Sequence, residues 1–512
     1  MKRFVVTDCG KGLNADQTPE ELGDGVWSST TNMRFENGYA VRFRGMTAAF
    51  TTPVVTPYFC APYATTTKRF LVYAGLTAIY ADDGTTQTDV TGTAPTGTAA
   101  DRWTGGALNG VMVLNNGVDK PQFWGGDTAA NFAALTGWPA TYLATSIRSF
   151  KNFLIALGIN KAGTKYPHMV KWSDVAVPGA IPTSWDETDA TKDAGEQDLA
   201  ETSEIFVDSL PLGDVLVLYK ERSMYSMTYV GAPYIWRFQR LPGDVGMLAP
   251  GCATATPVGH VVMASGDIFV HSGLGPTSIA NGVIRKFIFN NIDSTYYKRS
   301  FVTQNPQKNE VWVCFPSAGS SDGTCDMAAI WNWSDKTWYT RTLTSATYGA
   351  HGQFNLTSTD TWDGDSGTWD SDATSWNENE YSPAEARLVM CNSTPRLTVV
   401  DTGTTDYGST ITASLERTGM TFGDPSMVKT ITAVRPKIDS TDNASITLQV
   451  GGAMYPDGPV TWSTAVTFMT GTSIKADTFA SGRFIGIRMS NVDYPSWRLR
   501  SFDVEFAEAG SY

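Results

Sequence analysis

The chain has 512 residues and a formal net charge of −13, from 38 Lys and Arg against 51 Asp and Glu. That balance excludes a protein that grips nucleic acid by bulk charge. Charged residues make up only 17 %, aromatics reach 12 % and there are 48 glycines, which points to strands and tight turns rather than helix bundles or disorder.

The first legible element is residues 32–46, NMRFENGYAVRFRGM. Met33, Phe35, Tyr39, Val41 and Phe43 alternate with Arg34, Arg42 and Arg44, so a hairpin with one apolar and one cationic face is expected. A two-residue Asn37-Gly38 turn would pair Phe35 with Ala40 and Arg34 with Val41. A three-residue loop, Glu36-Asn37-Gly38, pairs Phe35 with Tyr39 and Met33 with Val41. Matching apolar with apolar favours the longer loop. The three arginines then have two readings. They are a contact with an acidic neighbouring subunit, or solvated guards on an edge strand.

Further along, the chain repeats itself. The stretches KRFLVYAGLTAIYADDG, NGVMVLNNGVDKPQFW, KNFLIALGINKAG, GDVLVLYKERSMYSM, GHVVMASGDIFVHSG, NEVWVCFPS and ARLVMCNSTPRLTVVDTG start at residues 68, 109, 151, 213, 259, 309 and 386. Each has a polar or small start and a short apolar run; most continue through a turn into a second strand. Most spacings are about 40–50 residues, the period of a four-stranded propeller blade. Blades bury their faces against one another around an axis. The runs FLVYA, FLIAL, VLVLY and VVMAS are too short for buried helices and suit inner strands covered on both faces. The expectation is a β-propeller of about seven blades, with six or eight open, over residues 61–404. An N-terminal arm and hairpin would occupy 1–60.

Two spacings are longer, and each contains an insertion. One, near 173–204, includes WSDVAVPGAIPTSWDE, which reads as a loop with two packing tryptophans; sugar stacking is the alternative. The other, near 361–381, carries Trp362, Trp369 and Trp376 at heptad spacing amid Gly, Asp, Ser and Thr. It reads as an aromatic-anchored loop. Asp363, Asp365, Asp370 and Asp372 give it a calcium alternative, but the EF-hand spacing fails at Gly367 and at the twelfth position. DSGTW approaches a sialidase Asp-box and is one residue short. After about residue 405, segments such as KTITAVRPKID, ASITLQVGG and RFIGIRMSN alternate apolar and polar, as expected for an antiparallel sheet or sandwich over 405–512. Arg483, Arg488, Arg498 and Arg500 form a second basic set there, read as a solvated strand face or a docking face.

Signals for chemistry are sparse. No GxSxG, P-loop or GxGxxG occurs. The six cysteines (9, 60, 252, 314, 325 and 391) form no CxxC or zinc pattern and read as isolated thiols. Histidine occurs only at 168, 260, 271 and 351. His260 and His271 bracket one expected hairpin and read as structural. MKRFVV lacks the apolar core of a secretory signal, and no apolar run reaches the length of about 18 residues needed for a membrane-spanning helix. Neither an enzymatic activity nor a cofactor or metal is expected.

Taken in order, GLNADQTPEELGDGVWSSTTNMRFENGYAVRFRG, KWSDVAVPGAIPTSW, VLYKERSMYSMTYVGAPYIWRFQRL, the TWD…TWD…SW loop and GRFIGIRMSNVDYPSWRLRSFDVEF resemble the tail hub, or nozzle, proteins of short-tailed bacteriophages. These are also called packaged-DNA stabilisation or tail tubular proteins. The resemblance runs over most of the chain. It implies a propeller-containing subunit of a homohexameric ring below the portal and adaptor, in the virion tail and assembled in the host cytoplasm. The ring seals packaged DNA and forms the channel for its exit. Implied partners are its own copies, the adaptor ring, and tail fibre, tailspike or needle proteins. Double-stranded DNA passes without sequence-specific binding. Other members are longer and carry extra domains, which leaves the carry-over of accessory contacts open. An acidic ring suits the role, because a basic lumen would hold phosphates and stall DNA. In this setting Arg34, Arg42 and Arg44 are expected at a subunit or adaptor interface. The competing readings are a receptor- or carbohydrate-binding propeller and a glycosidase.

Overall fold

A computed structural model of the chain describes residues 2–48, 50–354, 386–440, 443–456, 458–492 and 496–511. Strands dominate; the α-helix among the described residues is the short Arg285–Asn291. Five four-stranded antiparallel sheets follow one another in chain order. They span residues 59–89, 104–134, 142–198, 206–240 and 253–278. A seven-stranded sheet follows, and it is two blades joined by one long strand, Thr337–Gly352. The first part of that strand pairs with Cys325–Asn332 as the outer strand of blade 6. After Ser345, which has a left-handed φ of 48°, Ala346–Gly352 pairs with Arg387–Asn392 as the inner strand of blade 7. The left-handed residue bends the strand where it changes blade. The protein is a seven-bladed β-propeller.

The seven sequence repeats all fall on the second strand of a blade: Arg69–Ala74, Val111–Asn115, Phe153–Lys161, Val215–Lys220, Gly259–Met263, Glu310–Phe315 and Arg387–Asn392. These apolar runs are therefore one position out from the axis, not innermost as expected. The second strand has a hydrogen-bonded neighbour on each side and a blade against each face, so both its faces take apolar residues. Inner strands border the axis and include small and polar residues such as Gly105, Ser149, Ser209 and Thr303.

Blade 7 is completed from the other end of the chain. Its outermost strand is Met46–Ala48, paired with Arg396–Val400. Residues before it join the C-terminal domain, so 1–60 is not a separate arm. One sheet runs in the order Met33–Glu36, Tyr39–Arg42, Trp497–Ser511, Met427–Ser440, Ala476–Gly482, with Lys2–Val6 also paired to Trp497–Ser511. The other orders Ser29–Thr31, Ala413–Met420, Phe484–Asn491, Ser445–Ala453 and Thr461–Trp462, with Val466–Met469 beside Ser445–Ala453. Together they form an antiparallel sandwich built from both chain ends.

The hairpin register also differs from the expectation. Glu36 pairs with Tyr39, Phe35 with Ala40, Arg34 with Val41 and Met33 with Arg42. The turn is the two-residue Asn37-Gly38, with φ of 52° and 81°. Two left-handed residues make the type I′ geometry, whose twist matches the flanking strands. Directly opposed residues share a face and neighbours alternate, so Arg34 and Arg42 lie on opposite faces. The apolar matching rule fails because both faces are covered. A single core joins Trp27, Phe35 and Phe43 from the N-terminal segment to Leu415, Ile487 and Val504 of the sandwich. It continues into Trp312 and Tyr339 of blade 6. Each phenylalanine buried there contributes about 1.5–3 kcal/mol.

Candidate functional site

Seven inner strands surround an axial cavity of about 370 Å³. Charge sits in its wall. Asp208, on the inner strand of blade 4, is fully buried and accepts from Arg148 Nε at 2.9 Å, Arg148 Nη2 at 2.6 Å and Ser146 Oγ at 2.6 Å. The backbone N–H of Ser209 at 2.9 Å and of Gly251 at 3.2 Å complete the set. Arg148 Nη1 donates to the Gly105 carbonyl at 2.9 Å. One ion pair thus ties blades 2 and 3 to blade 4 and to the segment leading into blade 5. Burial alone would raise the Asp208 carboxyl. The Arg148 charge and hydrogen bonds, with those from Ser146 and Ser209, outweigh it and hold the group below the usual carboxylate range. Tyr348, from the inner strand of blade 7, faces this pair across the axis. Its hydroxyl is pushed up to about 12 by burial, against the opposing pull of Arg148 and Arg102.

No family model matches this chain, and neither does any curated protein. Among solved structures it is similar to the WD40 β-propeller domain of Doa1, at 8 % identity and a TM-score of 0.33, over 72 % of this chain and all of that one. It is also similar to YCF48 from Cyanidioschyzon merolae, at 9 % identity and a TM-score of 0.35, over 69 % of this chain and 98 % of that one. Scores this low carry no argument; the propeller assignment rests on the order of the strands.

The hairpin arginines occupy a second charged centre, in the seam between sandwich and propeller. Arg34 is 4 % exposed. Its Nε and Nη2 donate to Glu310, the latter at 3.1 Å, and Nη2 also reaches Asp401 Oδ2 at 2.6 Å. Glu310 further accepts from Tyr339 Oη at 2.6 Å and Trp312 Nε1 at 3.0 Å, while Asn305 Nδ2 donates to Asp401 at 2.9 Å. Burial opposes the Arg34 charge, but Asp401 and Glu310 hold its pKa well above the usual value. For Asp401, burial is outweighed by Arg34 and the carboxyl stays low. Phe43 lies between two guanidinium groups, with Arg34 Cζ 4.4 Å and Arg341 Cζ 4.8 Å from its ring centroid. Both distances suit cation–π attraction. Arg341 pairs with Asp406 at 3.0 Å.

These positions correct the interface expectation. Arg34 has carboxylates opposite it, and blades 6 and 7 of the same chain supply them. Arg42 is buried too, donating from Nη2 to the Ile411 carbonyl at 2.8 Å, and Arg44 is half-buried. Arg34 and Arg42 are closed inside the protein and offer nothing to a neighbouring copy.

The second basic set stays at the surface. Arg488 pairs with Glu416 at 2.7 Å and stacks on Trp462, its Cζ 4.3 Å from the ring centroid. Arg498 reaches Asp439 at 3.2 Å, Arg483 donates to the Pro425 carbonyl at 2.9 Å, and Arg500 is exposed. Nearby, Arg3 and Arg435 both pair with Glu505. This is a solvated face of interspersed charge, and such pairs contribute little each.

In the 173–204 region both tryptophans are used in packing. Trp185 meets Trp138 edge-on at 4.6 Å, and Trp172 Nε1 donates to the Asp193 carbonyl at 2.8 Å. His260 and His271 pair directly across blade 5. His260 Nε2 donates to the Pro211 carbonyl and Nδ1 accepts from Tyr219 Oη, both at 2.8 Å. Burial pushes the imidazole down to about 4, against the Pro211 bond and with the help of His271. The calcium and Asp-box readings of 361–381 lie outside the described residues. Among the described residues, no three His, Cys, Asp or Glu side chains converge as a metal set.

Sequence reading missed Arg102, Arg148, Asp208, Glu310 and Asp401. The available signal was a charge inside an apolar strand, as in SIRSF, FVDSL and NEVWVCF. An ionised group there needs a partner across the fold.

Proposed function

We propose that the chain is a structural subunit of a ring in the tail of a short-tailed bacteriophage. The ring sits below the portal and adaptor, seals packaged DNA and forms the channel for its exit. The observation that carries the reading is where the N-terminal signature lies. The stretch from Gly12 to Gly45 is the first of those that resemble tail hub proteins. It adds strands to both sandwich sheets and leads directly into Met46–Ala48, the closing strand of blade 7. Arg34 then pins it to blades 6 and 7. A subunit that resists pressure from packaged DNA benefits from chain ends that cannot peel, because each end is held by strands distant in sequence. The axial cavity is too small for a duplex, so in this reading DNA passes between subunits and not through one propeller. The protein acts by assembly and has no enzymatic role.

Electron microscopy of the purified protein mixed with portal–adaptor complexes of its virus tests this. Sixfold rings seated on the adaptor are expected; a protein that stays monomeric and unbound overturns the reading. A second reading, a receptor- or carbohydrate-binding propeller, draws on the turn between Met224–Gly231 and Ile235–Arg240 of blade 4, where Tyr234 is 80 % exposed. Glycan-array binding that is lost in Tyr234→Ala would favour it.

A further inference from the structure

Cys60 and Cys391 belong to the first and last blades and meet in the seam between them. Cys60 lies on the inner strand of blade 1, Phe59–Ala64, and Cys391 on the second strand of blade 7, Arg387–Asn392; both are buried. One closed cluster joins Cys60, Leu71 and Tyr73 of blade 1 to Val389, Cys391 and Val399 of blade 7. The strand registers agree with that placement. Tyr348 stands directly opposite Cys391. Its ring packs on Phe59, the residue before Cys60, with centroids 5.1 Å apart. Tyr73 stands opposite Cys60, and its hydroxyl lies within range of the Cys391 thiol. The two thiols are themselves hydrogen-bonded.

The two sulfurs differ in what they can reach. Cys60 is part of the wall of the 370 Å³ axial cavity, whereas Cys391 sits behind it in the cluster. Burial pushes the Cys391 thiol up, and the hydrogen bond and charge of Cys60 push the same way. Cys391 therefore keeps its proton, and Cys60 is the sulfur placed to react first. A disulfide is about 2 Å long, so thiols already in hydrogen-bond contact need only a small closure to form one.

We infer that Cys60 and Cys391 are a modification site, where a small peroxide entering the axial cavity forms a disulfide that clasps blade 1 to blade 7. The Cys60 sulfur, as thiolate, attacks one oxygen of hydrogen peroxide. The O–O bond breaks, and the leaving hydroxide takes up the proton that the thiol released. A Cys60 sulfenic acid and water result. The Cys391 sulfur then attacks the Cys60 sulfur. The S–S bond forms, the S–O bond breaks, and the departing hydroxide leaves as water with the Cys391 proton. Two thiols are oxidised and one peroxide is reduced to two waters. In a reducing compartment the pair stays open; outside one it closes. The bond shuts the propeller where the chain begins and ends its circuit, and a cross-link between positions so distant in sequence restricts the unfolded chain. It concerns the single chain and does not depend on ring assembly.

The test is peptide mapping of the full chain. Native protein is treated with a slight excess of hydrogen peroxide, the remaining thiols are alkylated in denaturant, and the chain is digested without reductant. The expected product links the peptides of Cys60 and Cys391, with Cys9, Cys252, Cys314 and Cys325 alkylated. Oxidised protein should melt several degrees above the reduced form, and dithiothreitol should reverse the gain. Cys391→Ala should stop at a Cys60 sulfenic acid that dimedone captures, while in Cys60→Ala the Cys391 thiol should survive. Wild type that yields no Cys60–Cys391 peptide after native oxidation overturns the inference, as does a disulfide joining either residue to another cysteine. The wild-type map decides even if neither variant folds.

Discussion

Arg34 and Glu310 lie 276 positions apart in sequence, yet their side chains meet in a two-pronged ion pair in the seam between the sandwich and blade 6. The Glu310 side chain has no exposure and that of Arg34 has 5 %. Their bond makes the N-terminal hairpin part of the propeller's support.

Breaking this pair from one side should therefore destabilise the whole chain. Arg34→Met leaves Glu310 and Asp401 buried without their cation, and removing one partner of a buried pair costs about 3–5 kcal/mol. Urea unfolding should show that loss. A change below about 1 kcal/mol, the range of exposed pairs, would mean the seam is wetter than described. Replacing Arg34, Arg42 and Arg44 together by Glu should prevent folding rather than only ring assembly.

The strand Met46–Ala48 should govern blade 7. Thr47 N–H donates to Thr402 Oγ1 at 3.2 Å, and Thr47 pairs with Val399. Thr47→Pro removes the donor and an outer-strand position, at a cost of about 1–3 kcal/mol. Amide exchange across 387–400 should speed up while blades 2–4 keep their protection. Equal acceleration in every blade would show that closure is not local.

Acid should weaken the fold through His260. The unfolded imidazole titrates near 6.5 and the folded one near 4. Between these values the unfolded chain binds more protons, so stability falls as pH drops from about 6.5 to 4 and the loss is complete below that. The term is worth about 3 kcal/mol, and His271, also lowered by burial, adds in the same direction. His260→Phe leaves Tyr219 Oη and the Pro211 carbonyl unpaired, so its absolute stability falls as well. The measurement that counts is the slope of unfolding free energy against pH, which should flatten. An unchanged slope assigns the acid sensitivity elsewhere.

All six cysteines are buried and none is bridged. Burial pushes up the thiols of Cys9, Cys252, Cys314, Cys325 and Cys391, which keeps the reactive thiolate scarce. Alkylation of the native protein at mildly alkaline pH, followed by mass spectrometry, should label none of the six within the time that labels all of them in denaturant. Rapid native labelling of any one would reveal local opening at that strand.

Strand period and an approximate blade count were legible because each is a local pattern. A strand covered on both faces needs a run such as FLVYA or VLVLY wherever it occurs, and that requirement repeats seven times. Tertiary structure alone decided where the chain ends go. Nothing local in Met46–Ala48 says that it pairs with Arg396–Val400, because that choice belongs to the geometry of ring closure. The hairpin register follows the same logic: pairing Phe35 with Ala40 is a poor match in isolation and a good one once a core covers both faces. Arg34 shows the division most sharply. From its sequence neighbours it is a cation on a strand face, equally suited to water or to another subunit. Its carboxylates arrive from residues 310 and 401, and only the folded chain brings them within hydrogen-bond reach.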